Sequence, residues 1–317
     1  MGFRRPWSCP EIAGMYLDDL VRIAGGQHGM FTTKQAADLG VGRKGLCEAV
    51  RSGSVRHPAR GLYAVSALVD TEAVPWQRHL AAGAQLLYPD VVLTGVTAVL
   101  AHGLPVWGCR LDRPDLLRPI ERQAGTKPYR VRPLRGTAVD GPWGPTVPLA
   151  EALVQLCMDH GIVQGVVSAD AALHRGLVSM DELQAAVDAV ATWARSHRPR
   201  AMMTHVDAKA ESVAESRARV EFHSHGIRVV SQVLVRDWDG SVIGRADFGV
   251  EGTNVLIEVD GKMKYADGDP QVLWREKRRE DDMRAAGKIV VRVTWSDLET
   301  PGKASAKVRR AMPAVSA

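Results

Sequence analysis

The segment Arg245-Ala246-Asp247-Phe248, followed by Val255-Leu256-Ile257-Glu258-Val259-Asp260-Gly261-Lys262, sets charged groups into what otherwise reads as the buried hairpin of a sheet. Side chains two apart on a strand point the same way, so Glu258, Asp260 and Lys262 share one face while Val255, Ile257 and Val259 share the other. One face is core and the other has the make-up of a site. Clustered carboxylates repel one another and cost free energy to desolvate, so a fold gathers them when a divalent cation or a proton relay compensates. Magnesium chemistry is the first expectation. The alternative is a surface hairpin in which Glu258 and Asp260 pair with Lys262, Lys264 or Arg245.

A length of 317 residues allows two or three domains with real cores, and 45% hydrophobic with 24% charged residues is an ordinary globular balance. No apolar run is long enough to span a membrane, and the opening Met1-Gly2-Phe3-Arg4-Arg5-Pro6-Trp7 lacks a secretory apolar stretch. A cytoplasmic protein without membrane partners is expected. Cys9, Cys47, Cys109 and Cys157 lie far apart with no C-x-x-C pair, which argues for reduced structural thiols rather than a zinc ribbon or disulfide framework. Residues 1–66 hold nine Lys or Arg against five acids within a net charge of +5, a bias toward polyanions that a soluble basic surface would equally explain.

Residues 15–66 read as three short helices and a hairpin. Helices are expected over Met15–Ala24, over Lys34–Leu39 with Thr33 as cap and Gly40 as stop, and over Arg43–Ser52. Ser54–Val65 follows as two strands around a turn containing Pro58, with Arg56, His57 and Arg60 near its tip. This is the winged helix-turn-helix order. Arg43, Lys44 and Arg51 on the third helix suit a major groove, and a basic wing tip suits phosphates. The competing assignment is a three-helix protein-interaction module with a solvated charged face.

From 67 to 200 the pattern is mainly helical, with helices over Trp76–Leu87, Thr94–His102, Leu149–His160, Val163–His174 and Ser179–Trp193, and an irregular Pro/Arg-rich insert over Leu104–Pro148. Arg110, Arg113, Arg118, Arg122, Lys127, Arg130, Arg132 and Arg135 make that insert either a solvated connector or a DNA-facing strip. Ser196–Arg200 is polar and proline-bearing, a plausible boundary. Beyond it come a helix over Ala208–His225, strands over Arg228–Val235, Val242–Val250 and from Val255, a charged helix over Pro270–Ala286, a strand over Lys288–Trp295 and a loose tail. In the charged helix, Arg275, Arg278, Arg279 and Asp282 form either a phosphate-facing row or i,i+4 surface pairs.

This αβββαβ order, with Glu215, Asp247, Glu258, Asp260 and Lys262 at its acidic and basic positions, resembles the restriction-endonuclease-like PD-(D/E)XK core. It is most similar to the very-short-patch-repair-like endonuclease domain, in the run Ile257-Glu258-Val259-Asp260-Gly261, in Ser212–Arg219 and in Arg279-Glu280-Asp281 through Val290–Trp295; the likeness runs over about 100 residues. The front of the chain, through Met30-Phe31-Thr32-Thr33-Lys34-Gln35-Ala36 and Arg60-Gly61-Leu62-Tyr63, resembles the AbiEi-type antitoxin winged helix of type IV toxin–antitoxin systems over about 50 residues.

The resemblances imply an α/β multidomain chain: a winged helix at 1–66, a mainly helical middle at 67–200 and a PD-(D/E)XK nuclease-like domain at 201–317. They imply Mg²⁺ or Mn²⁺ held by Asp247 and Glu258, with Asp260 as a further ligand, Glu215 completing the shell and Lys262 stabilising charge on the attacked phosphate. One departure stands out: where the superfamily places its lysine, two after Glu258, this chain has Asp260, so either Glu258-x-Asp260 or Asp260-x-Lys262 is the motif. Double-stranded DNA is the implied partner, bound through Lys34, Arg43, Lys44, Arg51, Arg56 and Arg60, with a cognate toxin or a second copy of the chain beside it. Metal-dependent DNA hydrolysis is the expected activity. The alternative is a non-enzymatic antitoxin-like repressor whose nuclease-fold domain no longer cleaves.

Overall fold

The computed structural model describes residues 10–122, 124–260 and 270–312, and forms a mixed α/β protein with three small sheets. The chain divides into two compact units: one takes the residues up to Leu104 with Gly108–Gln155, the other takes Pro105–Trp107 with Leu156 onward.

The first unit opens with α1 (Pro10–Gly25), β1 (Met30–Thr32), α2 (Thr33–Asp38), α3 (Arg43–Arg51), β2 (Val55–Ala59) and β3 (Leu62–Val65). Leu20 and Ala24 of α1 pack with Phe31, Ala36, Leu46, Val55 and Val65, so two side chains from α1 and one from each following element close a common core. The helix expected to be capped by Thr33 starts one residue earlier. Thr32 accepts the Gln35 N–H at 3.2 Å while its own N–H donates to Gln35 Oε1 at 2.8 Å, a reciprocal capping box. The turn of the hairpin also moves: Pro58 lies within β2, and the chain reverses at Arg60-Gly61, where φ of +80° at Gly61 would strain any other residue. β1 adds a third strand outside β3, in the order β1-β3-β2.

There follow α4 (Ala73–Leu87), β4 (Val92–Leu93), α5 (Gly95–Ala101), β5 (Asp115–Arg118), β6 (Ala124–Thr126) and β7 (Tyr129–Pro133). The insert expected to be irregular thus builds a sheet of order β4-β5-β7-β6, with Leu116, Tyr129 and Val131 buried. Three of its cations are committed within the fold. Arg130 approaches the buried Asp115 at 3.2 Å and Arg132 at 4.0 Å, while Arg118 makes bonds of 2.8 and 3.1 Å to Asp90 and lies 4.2 Å from the Tyr88 ring centre. For these residues neither the solvated-connector nor the DNA-strip assignment holds.

The remaining helices before the last sheet are α6 (Leu149–His160), α7 (Ile162–His174), α8 (Met180–Ala189), α9 (His197–Met203) and α10 (Val213–Ser224). The polar stretch Ser196–Arg200, read from the sequence as a domain boundary, enters the short α9. In the second unit α7 and α10 are joined by a buried polar knot. Asp170 accepts the Ser216 hydroxyl at 2.6 Å and the Asp207 N–H at 2.7 Å, and forms a short ion pair with Arg219. Burial pushes the Asp170 carboxyl above its usual range, against the pull of Arg219 and the hydrogen bonds. Arg217 is held differently, between the rings of Trp107 and Trp295 at 4.0 and 4.5 Å, with a hydrogen bond to the Leu298 carbonyl.

β8 (Val229–Arg236), β9 (Val242–Val250) and β10 (Val255–Asp260) form an antiparallel meander; α11 (Pro270–Ala285) leads to β11 (Ile289–Thr294), parallel to β10, giving the order β11-β10-β9-β8. Ala214, Ala218 and Phe222 of α10 pack on Phe248, Ile257 and Val293, and Phe222 meets Phe248 edge-on at 6.0 Å. Each such large side chain contributes roughly 1.5–3 kcal/mol. Within the tail expected to be loose, the described residues up to 312 form α12 (Trp295–Leu298) and α13 (Lys303–Ala311), which bury Leu298, Ala304 and Val308 in the same core. Asp297 caps α12 through Thr294 and holds Lys303 and Lys307 at 3.0 Å each. Among the described residues, Cys47, Cys109 and Cys157 are free thiols, and burial pushes the last two up to about 12.

Candidate nucleic-acid interface and the C-terminal carboxylate face

α2 and α3 make a helix-turn-helix, with β2 and β3 as the wing. The amphipathic α3 buries Leu46 and leaves Arg43, Lys44 and Arg51 exposed. Lys34 is exposed in the first turn of α2, and Arg56 and Arg60 are exposed on the wing. Among the described residues Lys34, Arg43, Arg51, Arg56 and Arg60 have no acidic partner, and Lys44 stands 3.9 Å from Glu48. The wing is stiffened by an aromatic stack missed in the sequence: the His57 ring lies 4.5 Å from Tyr63, which lies 5.6 Å from the buried Phe31. The i,i+2 spacing of Arg56 and Pro58 around His57 gave no hint of it, because Tyr63 comes from the facing strand.

In the second unit, Ser212 caps α10 and thereby sets Glu215 in its first turn, nearly buried. The Glu215 carboxylate accepts the Ser212 hydroxyl at 2.7 Å, the Glu211 N–H at 3.1 Å and the Gln232 amide at 2.9 Å. Gln232 adopts φ of +56°, an unusual conformation for a non-glycine residue inside a strand. Burial raises the Glu215 pKa, the hydrogen bonds from Ser212 and Glu211 lower it, and the charges of Asp247 and Glu211 raise it further. Asp247 on β9 accepts the Val259 N–H at 2.7 Å. Leu256 pairs with Gly249 and Ile257 with Phe248, so Asp247 and Glu258 each stand one residue beyond the last pair of the ladder.

Glu258 and Asp260 share the polar face of β10, and among the described residues cations from α11 and β11 meet them. Arg279 of α11 donates to Glu258 at 3.0 Å; Arg292 of β11 reaches Asp260 at 3.5 Å and Glu280 at 3.2 Å; Arg284 bonds Glu280 at 2.5 Å. Arg245 instead pairs with Glu211 at 2.8 Å. Lys262, Lys264 and the Arg275 side chain lie outside the described residues. Gln232, and Arg279 and Arg292 as carboxylate partners, were not legible in the sequence; the adjacent polar pair Ser231-Gln232 inside the otherwise apolar run Val229–Val235 was the available signal for the first.

A Mg²⁺ ion needs several oxygen ligands in near-octahedral array. The structure brings Glu215 close enough to Asp247 for their charges to interact, and Asp247 and Glu258 flank the last β9–β10 pair. Among the described residues, however, no group of three or more His, Cys, Asp or Glu is placed to hold a metal ion. Each of the four carboxylates accepts from a protein donor instead.

The N-terminal arrangement is that of a winged helix-turn-helix. Residues 18–66, the stretch from α1 to the end of β3, match the family model described as a transcriptional regulator, AbiEi antitoxin. No curated protein matches the chain. Among the described residues no helix is long and apolar enough to cross a membrane.

Proposed function

We propose that this chain is a DNA-binding transcriptional regulator of the AbiEi antitoxin kind, in which the winged helix of residues 1–66 reads double-stranded DNA and the parts at 67–200 and 201–317 serve it without cutting. The observation that carries the proposal is the row of exposed cations on α3 and the wing, lying within the stretch similar to AbiEi antitoxin regulators. α3 would enter the major groove with Arg43, Lys44 and Arg51, and Arg56 and Arg60 would hold flanking phosphates. A cognate toxin is the partner that similarity suggests. The test is fluorescence anisotropy of the purified chain on DNA from upstream of its own gene and on unrelated DNA, over a salt series. Preference for the upstream DNA with a steep salt slope supports regulation; no salt-dependent binding to either removes it.

A second proposal, metal-dependent hydrolysis of DNA by the C-terminal domain, is favoured by the neighbourhood of Glu215 and Asp247 and by the place of Asp247 and Glu258 beside the last β9–β10 pair. Its test is separate. Plasmid nicking with Mg²⁺ or Mn²⁺ that disappears in Asp247→Ala would establish cleavage, whereas equal nicking by both proteins, or none, leaves the regulator alone.

A further inference from the structure

We infer that Arg279 is the built-in counter-cation of Glu258: it takes the place a divalent ion would need on this carboxylate, so the C-terminal unit closes its acidic face without metal and admits an ion only when the guanidinium is moved aside. The inference goes beyond the DNA-binding proposal and is independent of it.

Three observations carry it. First, the Arg279 guanidinium is 3.0 Å from a Glu258 carboxylate that is only 14% exposed, so the acid has little access to solvent and its charge is met mainly from within the protein. Second, the path of Arg279 is built. A Cβ on Gly244 would stand 2.9 Å from Arg279 Cδ, 3.2 Å from its Cγ and 3.1 Å from Met283 Cε, so the bare backbone of β9 leaves a notch in which the arginine stem lies. Third, the helix that presents the arginine is anchored one turn on. Met283, buried at i+4 from Arg279 on the same face of α11, packs with Val235, Ala246 and Leu256.

The neighbouring charges continue the pattern. Asp260, Arg292, Glu280 and Arg284 form a chain in which carboxylate and guanidinium alternate. A divalent ion approaching Glu258 has to shed water, displace Arg279 and leave that guanidinium beside it as a like charge, all of which lower its affinity. Where a lysine two residues after Glu258 would supply a local cation, this chain has Asp260, and among the described residues positive charge arrives from α11 and β11.

The experiment is a Mn²⁺ titration of the full chain, read by the electron paramagnetic resonance of free Mn²⁺ and competed with Mg²⁺, for the natural protein, Arg279→Gln and the double variant Arg279→Gln/Glu258→Gln. The natural protein is expected to show no saturable binding below roughly 1 mM, Arg279→Gln to bind at least about 10-fold more tightly, and the double variant to lose that gain. Equal binding by the natural protein and Arg279→Gln overturns the inference, as does no binding by Arg279→Gln. If circular dichroism shows that Arg279→Gln does not fold, Gly244→Ala, which crowds the arginine stem out of its notch, must produce the same gain; unchanged Mn²⁺ binding in that variant overturns the inference. DNA affinity is not part of the readout, so failure here leaves the regulator proposal untouched, and failure of DNA binding leaves this one standing.

Discussion

The wing and the C-terminal sheet are both rich in charge, yet they use it in opposite ways. On α3 and the wing, arginines stand exposed without acidic partners among the described residues, so their fields are available to an external anion. On β10, α11 and β11, each arginine named faces a carboxylate of the same unit, and recruiting it to a ligand would mean breaking an existing pair. Charge density alone therefore does not mark an interface; what matters is whether the countercharge is already inside the protein. That distinction separates a binding surface from a structural one.

The contrast would be broken most forcefully at Asp170. Replacing it with alanine leaves Arg219, 3% exposed, with its charge poorly compensated, and the expected loss is about 3–5 kcal/mol in urea unfolding. A loss below about 1 kcal/mol would show that the interior charges of this unit are not what holds α7 to α10. The wing should behave in the reverse manner. Arg56→Ala with Arg60→Ala is expected to weaken DNA binding by about 10-fold or more and to lower the salt slope by roughly 2, with the thermal midpoint unchanged. A drop in the midpoint without a change in slope would place these arginines on the structural side of the comparison.

Two carboxylates sharpen the comparison through pH. Burial works against the ionisation of Asp297, but the Thr294 N–H, Lys307, Lys303 and the Thr294 hydroxyl together hold its carboxyl well below the usual range. A depressed folded-state value stabilises the protein fully above the unfolded value near 4 and is lost as pH falls through the folded one. Asp297→Asn is thus expected to cost about 1 kcal/mol near neutral pH, through the weakened cap and lost pairs, with the gap to the natural protein narrowing in acid. Glu215 has the opposite sign. Its raised pKa means that ionisation opposes folding, and the penalty grows as pH rises above the unfolded value until the folded value is passed. Glu215→Gln is expected to stay within about 0.5 kcal/mol of the natural protein at pH 7 and to be relatively less favourable at pH 4.

How much of this was legible depended on whether the decisive partner was near in sequence. The three helices before the wing, the αβββαβ order and the polar face of β10 follow from short-range periodicity, which is a property of adjacent residues. Thr32 rather than Thr33 was decidable too, because only Thr32 stands three residues before Gln35. The sheet inside the insert escaped because strands of two to five residues show too little alternation to register. α13 escaped because its buried face amounts to Ala304, Ser305 and Val308 between lysines and arginines. At the candidate site the acids were readable and their partners were not: Arg279 lies 21 positions from Glu258, and Arg292 lies 32 from Asp260, distances over which only the tertiary fold decides who pairs with whom.

The three residues Pro105–Trp107 belong to the second unit although the chain on both sides of them belongs to the first. Trp107 supplies one of the two rings around Arg217, and the Pro105 carbonyl accepts the Ser168 hydroxyl at 2.7 Å. A gene fragment starting at Leu156 would therefore encode a body lacking part of its own wall, with one face of a buried guanidinium stripped of its ring. Dissecting this protein by truncation alone would confuse the loss of a neighbour with the loss of a missing piece, and point substitutions within the intact chain are the cleaner tool.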